Sequence, residues 1–372
     1  MVIFALMQTI AYTADSIFTG EEWLTGKAVL VAGEKIQAVV SLSELDGGHH
    51  VKKFEGFMAP AFIDVQLYGA YGKLLATYPN AESVSLINNY CVAGGAVLCL
   101  PTVATNTKEI FYACIDAVKD YWNGSGKGVW GLHLEGPWLN VLKRGAHIET
   151  LIHAPETEEV KALLQYGKGV IKMITLAPEA CSAEVIQLIR DEGVIVSAGH
   201  SNATFEEATK AFNEGITTVT HLYNAMSPLQ HRAPGLVGAV LAHDKVRSSI
   251  IADGHHVDFA AIKIAQAIMK DRLFVITDAV TETSEGLYRH QPAGDKYECN
   301  GILSGSAITM FQSFRNLVNK VGINVEEALR MCSLYPAQML GCDGQYGKIA
   351  PGYAAQFILV NKQLEEGLVI TL

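Results

Sequence analysis

The chain has 372 residues, 49% hydrophobic and 18% charged, with 28 Lys plus Arg against 38 Asp plus Glu and a formal net charge of −10. So many apolar residues exclude a disordered chain and allow a large core. No basic run or stripe is present, which argues against nucleic acid and membrane surfaces as partners; an anionic ligand would need a local positive pocket. Cys91, Cys99, Cys114, Cys181, Cys299, Cys332 and Cys342 show no C-x-x-C spacing, and several lie in apolar runs, as suits a reducing cytoplasm. The apolar start lacks a basic n-region, its first lysine being Lys27, and no run of about 18 apolar residues occurs, so neither signal peptide nor membrane span is expected.

Residues 1–57 read as short strands with turn punctuation: Val2–Met7, Ala28–Val31 and Lys35–Val40. From Pro60 the rhythm changes to apolar strand-like runs alternating with amphipathic helices, the pattern of βα units and a parallel sheet. Strands are expected at Phe62–Leu67, Ala96–Pro101, Val129–Glu135, Val170–Leu176, Val194–Ala198, Thr217–His221, Arg247–Ala252 and Leu273–Thr277. Helices between them include Thr107–Val118, Thr157–Gln165, Ser182–Arg190, Thr204–Phe212 and Asp258–Met269. This predicts an α/β fold with a closed (β/α)8 TIM-type barrel; an open doubly wound sheet is disfavoured, because no turn carries a Gly-rich dinucleotide fingerprint. After helices near Phe311–Asn319 and Val325–Cys332, Gly347–Tyr353 and Gln356–Val360 again read as turn and strand. The expected organisation is a barrel over 58–343, with 1–57 and 344–372 joining in one small β-domain. The segment from Thr281 to Cys299 gives no clear element.

Polar residues recur where the barrel strands should end: Gln66 and Tyr68, Glu135, His200, His221, Asp253 and Asp278. In a barrel all of these face one mouth. Each has an ordinary structural reading alone, as a helix-terminal acid or a strand-end histidine. Together Glu135, His200 and His221 make a carboxylate and two imidazoles, a ligand set that leaves a position open for water. Asp278 would then act as general base and acid, taking a proton from water and passing it to a leaving amine.

Gly131–Asn140, Ser197–Asn202, His221–Met226, Ala252–Asp258, Thr277–Ala279 and Leu303–Ser306, in this order, resemble the N-acetylglucosamine-6-phosphate deacetylase family of the amidohydrolase superfamily. The resemblance runs from about residue 58 to 360. It implies a metal-dependent amide hydrolase acting on an N-acetyl hexosamine 6-phosphate, with Glu135, His200 and His221 as metal ligands and Asp278 as catalytic acid/base. It further implies that His147 polarises the acetyl carbonyl, next to a substrate contact at Ala146. Asn224, Ala225 and Arg232 match phosphate contacts, the arginine reaching across from a second subunit of a homodimer. His256 matches a sugar-phosphate contact, and Leu303, Ser304 and Gly305 a loop closing over the substrate.

Three departures stand out. Many relatives carry His-x-His after strand one and can bind two metals, and one-metal members keep Gln-x-Asn; this chain has Gln66-Leu67-Tyr68. One divalent ion per subunit is therefore expected, zinc first, with iron or another divalent ion also compatible. Tyr68 would narrow the pocket or contact the sugar. Ala61 replaces a usual glycine, and His231 stands beside Arg232 in a variable loop. The alternatives are a deacetylase of another N-acyl hexosamine phosphate, such as the galactosamine epimer, and a non-catalytic sugar-phosphate-binding barrel. Retention of Glu135, His200, His221 and Asp278 weighs against the second.

Overall fold

The computed structural model describes residues 9–45 and 49–371. The expected strand Val2–Met7 lies outside them. Eight parallel strands follow one another in sequence order around one sheet. They are β1 (Phe62–Leu67), β2 (Ala96–Ala104), β3 (Leu132–Glu135), β4 (Ile171–Leu176), β5 (Ile195–Ala198), β6 (Thr218–Val219), β7 (Arg247–Ile251) and β8 (Leu273–Ile276). Just past β8 the sheet meets β1: Asp278 N–H donates to Gln66 O at 2.9 Å, and Tyr68 N–H to Ala279 O at 2.8 Å. The barrel expected from the alternating pattern is borne out.

Two strands, β3 and β6, are three residues shorter than the apolar runs suggested, for local reasons. Ladder pairing in β6 ends at Val219, and two residues later His221 adopts φ 41°. Regular pairing in β3 starts only at Leu132, while Val129 makes an isolated bridge to Cys99. The helices begin one residue later than expected at Thr107, Ser182, Thr204 and Asp258, because those residues are the N-caps. Thr204 completes a capping box with Glu207, and the Ser182 side chain accepts from Val185 N–H. Such oxygens bind amide protons that the first turn cannot use.

A single apolar core runs from the strands into the helices, from Phe62, Val103 and Leu134 to Ile250, Phe314 and Leu329. Both ends of the chain build a smaller layer beside it. A five-stranded sheet runs in the order Gly367–Ile370, Phe357–Val360, Phe57–Pro60, Ser16–Phe18, Trp23–Leu24. A four-stranded sheet holds Lys35–Ser41, Lys27–Ala32, Ile10–Thr13 and His50–Lys53. Tyr12, Ile17, Val29, Met58, Ile349 and Phe357 form its own core. Phe57–Pro60 feeds straight into β1 through buried Ala61, whose φ is not positive, so alanine is accommodated there. No helix among the described residues is long and apolar enough to cross a membrane.

The segment 281–299, unplaced by sequence, continues into the expected Leu303–Gly305 loop as a three-stranded antiparallel sheet: His290–Pro292, Lys296–Cys299 and Ile302–Ser306. It is tied to the end of β8 by Ser306 N–H donating to Asp278 O at 2.8 Å and Val280 N–H to Ser306 O at 3.0 Å. It lies over the barrel mouth, where Tyr288, His290 and Leu303–Gly305 reach the cavity wall.

Candidate metal centre and active site

Residues from the ends of β1, β3, β5, β6 and β8 converge below a cavity of about 220 Å³. Glu135, His200 and His221 offer three ligand atoms within 4.8 Å of one another, all three residues being buried. Glu135 Oε1 lies 3.2 Å from His200 Nε2 and 3.0 Å from His221 Nε2, and the two Nε2 atoms are 3.1 Å apart. His200 Nδ1 is 2.9 Å from Lys143 O, which fixes the ring proton on Nδ1 and turns the Nε2 lone pair inward. Imidazole nitrogens this close repel when both are unprotonated, unless a cation lies between them. One carboxylate oxygen and two such nitrogens fit a divalent ion of the zinc or iron type.

The backbone that aims these groups is unusual. His200, His221 and Asp278 all have positive φ, at 47°, 41° and 55°. This left-handed conformation costs a residue with a Cβ on the order of 1 kcal/mol, and such residues cluster at functional sites. The loop after β3 is braced against the loop after β5. Asn140 N–H donates to His200 O at 2.9 Å, and Glu179 accepts from Asn140 Nδ2, Ser201 Oγ and Asn202 N. Gly136 has φ +86°, and a Cβ there would meet Thr105 Oγ1 at 2.2 Å, so only glycine allows the turn that ends β3.

His147 is buried, and its Nδ1 receives the Thr105 N–H at 3.3 Å. An amide can only donate, so the ring proton resides on Nε2, which faces Glu135 Oε2 at 3.2 Å. Burial, reinforced by neighbouring His200, lowers His147 to about 4, leaving it a neutral donor at pH 7. Burial also lowers His221. For Glu135 burial pushes the carboxyl up, but the electrostatic influence of His200 and the contacts with His147, His200 and His221 outweigh it and hold the group well below the usual range. Asp278 goes the other way, raised by burial and then by the charge of Glu135. Asp278 Oδ1 accepts from Gln66 Nε2 at 2.8 Å and lies 3.1 Å from the Tyr68 hydroxyl, and neither contact involves Oδ2.

Most residues singled out in the sequence meet at this cavity: Tyr68, Glu135, Ala146, His147, His200, His221, Asn224, Ala225, His256, Asp278 and Leu303–Gly305 line it. His256 Nδ1 is held 2.6 Å from Asp253 Oδ2, and its Nε2 is buried without a protein partner. Gln66 lies beneath the wall, fully buried. Arg232 and His231 are exposed on a loop bridged by Gln230 and Ala233, and neither lines the cavity of this one chain. Tyr68 lines the cavity, and its hydroxyl donates to Glu135 and lies 3.1 Å from Asp278 Oδ1.

Sequence reasoning missed Thr105, Tyr288, His290 and Glu179. Tyr288 OH donates to Thr105 O at 2.6 Å, and His290 Nδ1 pairs with Ser304 Oγ at 2.8 Å. A signal for the segment of Tyr288 and His290 existed: Gly294–Asp295 marks a hairpin turn, and before it buried Tyr288 and His290 alternate with exposed Arg289 and Gln291.

Comparison with known proteins agrees with this geometry. The amidohydrolase family model matches residues 57–370, and the NagA composite domain matches residues 7–56. The N-acetylglucosamine-6-phosphate deacetylase of Haemophilus influenzae is 34% identical, over 95% of this chain and 93% of that protein. The N-acetylgalactosamine-6-phosphate deacetylase of Escherichia coli O157:H7 is 30% identical, over 94% of this chain and 95% of that one. The crystal structure of the N-acetylglucosamine-6-phosphate deacetylase from Pasteurella multocida superposes with a TM-score of 0.91 at 34% identity, covering 96% of both chains. With a barrel, a buried carboxylate–imidazole cluster and these matches along nearly its whole length, the chain belongs to the amidohydrolase family.

Proposed function

We propose that this chain is an N-acetylglucosamine-6-phosphate deacetylase, hydrolysing the N-acetyl group to give glucosamine 6-phosphate and acetate. The observation that carries the reading is the Glu135–His200–His221 triangle beside Asp278, in a chain similar over nearly its full length to enzymes of that name. These three residues would hold one divalent ion per subunit, zinc by preference of the donor set. When bound, the ion supplies the Lewis acidity that an unactivated amide requires.

The remaining chemistry belongs to the protein. His147 Nε2–H donates to the acetyl oxygen as negative charge develops there, a contribution of about 3 kcal/mol in comparable sites. Asp278 Oδ2 accepts a proton from the attacking water and delivers it to the departing nitrogen. His256, oriented by Asp253, turns its unpartnered Nε2 toward the sugar phosphate, with Asn224 and Ala225 at the same wall. Ala146 and Leu303–Gly305 frame the sugar. Arg232, exposed in one chain, serves the phosphate of a neighbouring subunit in a homodimer. The reaction is placed in the cytoplasm. The barrel is assigned to 58–343 and the small β-domain to 1–57 and 344–372, supported by the sheet that joins Phe57–Pro60 to Phe357–Val360.

A second substrate is favoured by one observation, the 30% identity to an N-acetylgalactosamine-6-phosphate deacetylase. The deciding experiment is acetate release from N-acetylglucosamine and N-acetylgalactosamine, each with and without the 6-phosphate. Preference for the phosphorylated glucosamine supports the assignment, and preference for the galactosamine epimer replaces it. Faster turnover of unphosphorylated sugars removes the roles given to Arg232 and His256.

A further inference from the structure

Two buried carboxylates converge on one neutral hydroxyl in this site. The Tyr68 hydroxyl donates to Glu135 Oε2 and lies 3.1 Å from Asp278 Oδ1. Gln66 Nε2 reaches the same hydroxyl at 2.8 Å, Asp278 Oδ1 at 2.8 Å and Glu135 Oε1 at 3.0 Å. The amide's own oxygen, Gln66 Oε1, is buried without a partner. The point where two carboxylates converge is where an oxygen-seeking cation would be held, because each neutralises part of its charge. Here a phenol fills that point, and its single proton is directed at Glu135.

The effect on Glu135 is specific to one oxygen. Oε2 is taken by Tyr68 and by His147 Nε2, whereas Oε1 faces His200 and His221, with Gln66 Nε2 beside it at 3.0 Å. A carboxylate held in this way presents one oxygen to an ion and cannot rotate to offer both. We propose that Tyr68 is a positioning residue: its hydroxyl takes the place of a second cation between Glu135 and Asp278, fixes Oε1 as the ligand atom, and so limits the centre to one ion. This rests on the reading of Glu135, His200 and His221 as a cation site.

The test is the Co2+ content of metal-stripped, reloaded protein by elemental analysis, together with the visible absorption of the bound ion and its retention against a chelator. Wild type should take up one equivalent even in excess Co2+. Tyr68→Phe keeps the ring and loses the donor; it should still bind one equivalent, with affinity weakened about 10- to 100-fold and altered absorption bands. Tyr68→Ala empties the point between the carboxylates and should admit a second, weaker equivalent. Two equivalents in wild type, or a Tyr68→Phe protein that holds its ion as tightly and with the same bands as wild type, would overturn the inference while leaving the cation site intact. A folded Tyr68→Ala protein that stays at one equivalent does the same. Wild type that takes up no Co2+ removes the site and the inference together. Should Tyr68→Ala not fold, the Tyr68→Phe affinity decides alone.

Discussion

The floor and the roof of the cavity are built on opposite principles. The floor is made of strand ends from around the barrel, cross-braced by Gln66, Tyr68 and Glu179, and three of its functional side chains sit on left-handed backbone. The roof is one contiguous segment, 281–306, whose alternating side chains place Tyr288 and His290 inside and Leu287, Arg289 and Gln291 outside. A floor whose members come from distant parts of the chain changes only when the barrel changes. A roof drawn from one three-stranded segment can be altered by substitutions confined to it. Under the proposed function the chemistry would lie on the floor and the roof would add to substrate fit, as expected where loops vary on a rigid scaffold.

Substitutions can test that division, beginning with the largest effect. Asp278→Asn should retain the bound ion, checked by elemental analysis, while turnover falls about 10²- to 10⁴-fold; normal turnover would move the acid/base role elsewhere. His147→Phe removes the Nε2–H donor and should lower kcat about 10²- to 10³-fold with a smaller change in KM. Equal changes in both would make His147 a binding residue.

A third test concerns the floor's stability. Burial raises Asp64 to about 6, against hydrogen bonds from Thr277 and Gln66 N–H that lower it. Between the unfolded value near 4 and the folded value, the native state holds the proton that the unfolded chain has lost. The contribution is therefore fully present below about pH 4 and declines as pH rises through 6, by about 3 kcal/mol for a shift of this size. Asp64→Asn should flatten that part of the stability–pH curve in denaturant titrations, and an unchanged slope would contradict the assignment. The smallest effect belongs to the roof: Tyr288→Phe loses one hydrogen bond to Thr105 O, worth about 1 kcal/mol, and should change KM several-fold with kcat nearly untouched. A larger loss in kcat would show that the roof also sets the position of His147, through Thr105.

The floor was legible in the sequence because each βα unit announces its strand by an apolar run, and the residue that ends the run is chemically conspicuous. Glu135 after Leu132–Leu134 and His200 after Ile195–Ala198 needed only the assumption of a closed barrel to be brought together. What escaped was the partner work. Gln66 and Tyr68 read as poor ligands, and nothing local says that an amide and a phenol will bracket carboxylates far along the chain. Glu179 follows Pro178 in a short 3-10 turn and looks like a solvated acid, yet it ties two active-site loops. Such contacts depend on side-chain reach across the mouth, which periodicity does not encode. Arg232 is a different case, since its expected role needs a second chain.

The outer sheet has a consequence for how the molecule is made. Phe57–Pro60 lies between Ser16–Phe18 on one edge and Phe357–Val360 on the other, and it runs directly into β1. During synthesis the first edge can pair early, but the second stays open until Phe357–Val360 leaves the ribosome, after every barrel strand has already emerged. For that interval Phe57, Met58 and Ala59 form an unpaired apolar edge of the kind that recruits other chains. Removing Phe357–Val360 should therefore appear first as loss to aggregation, before any change at the catalytic end of the barrel.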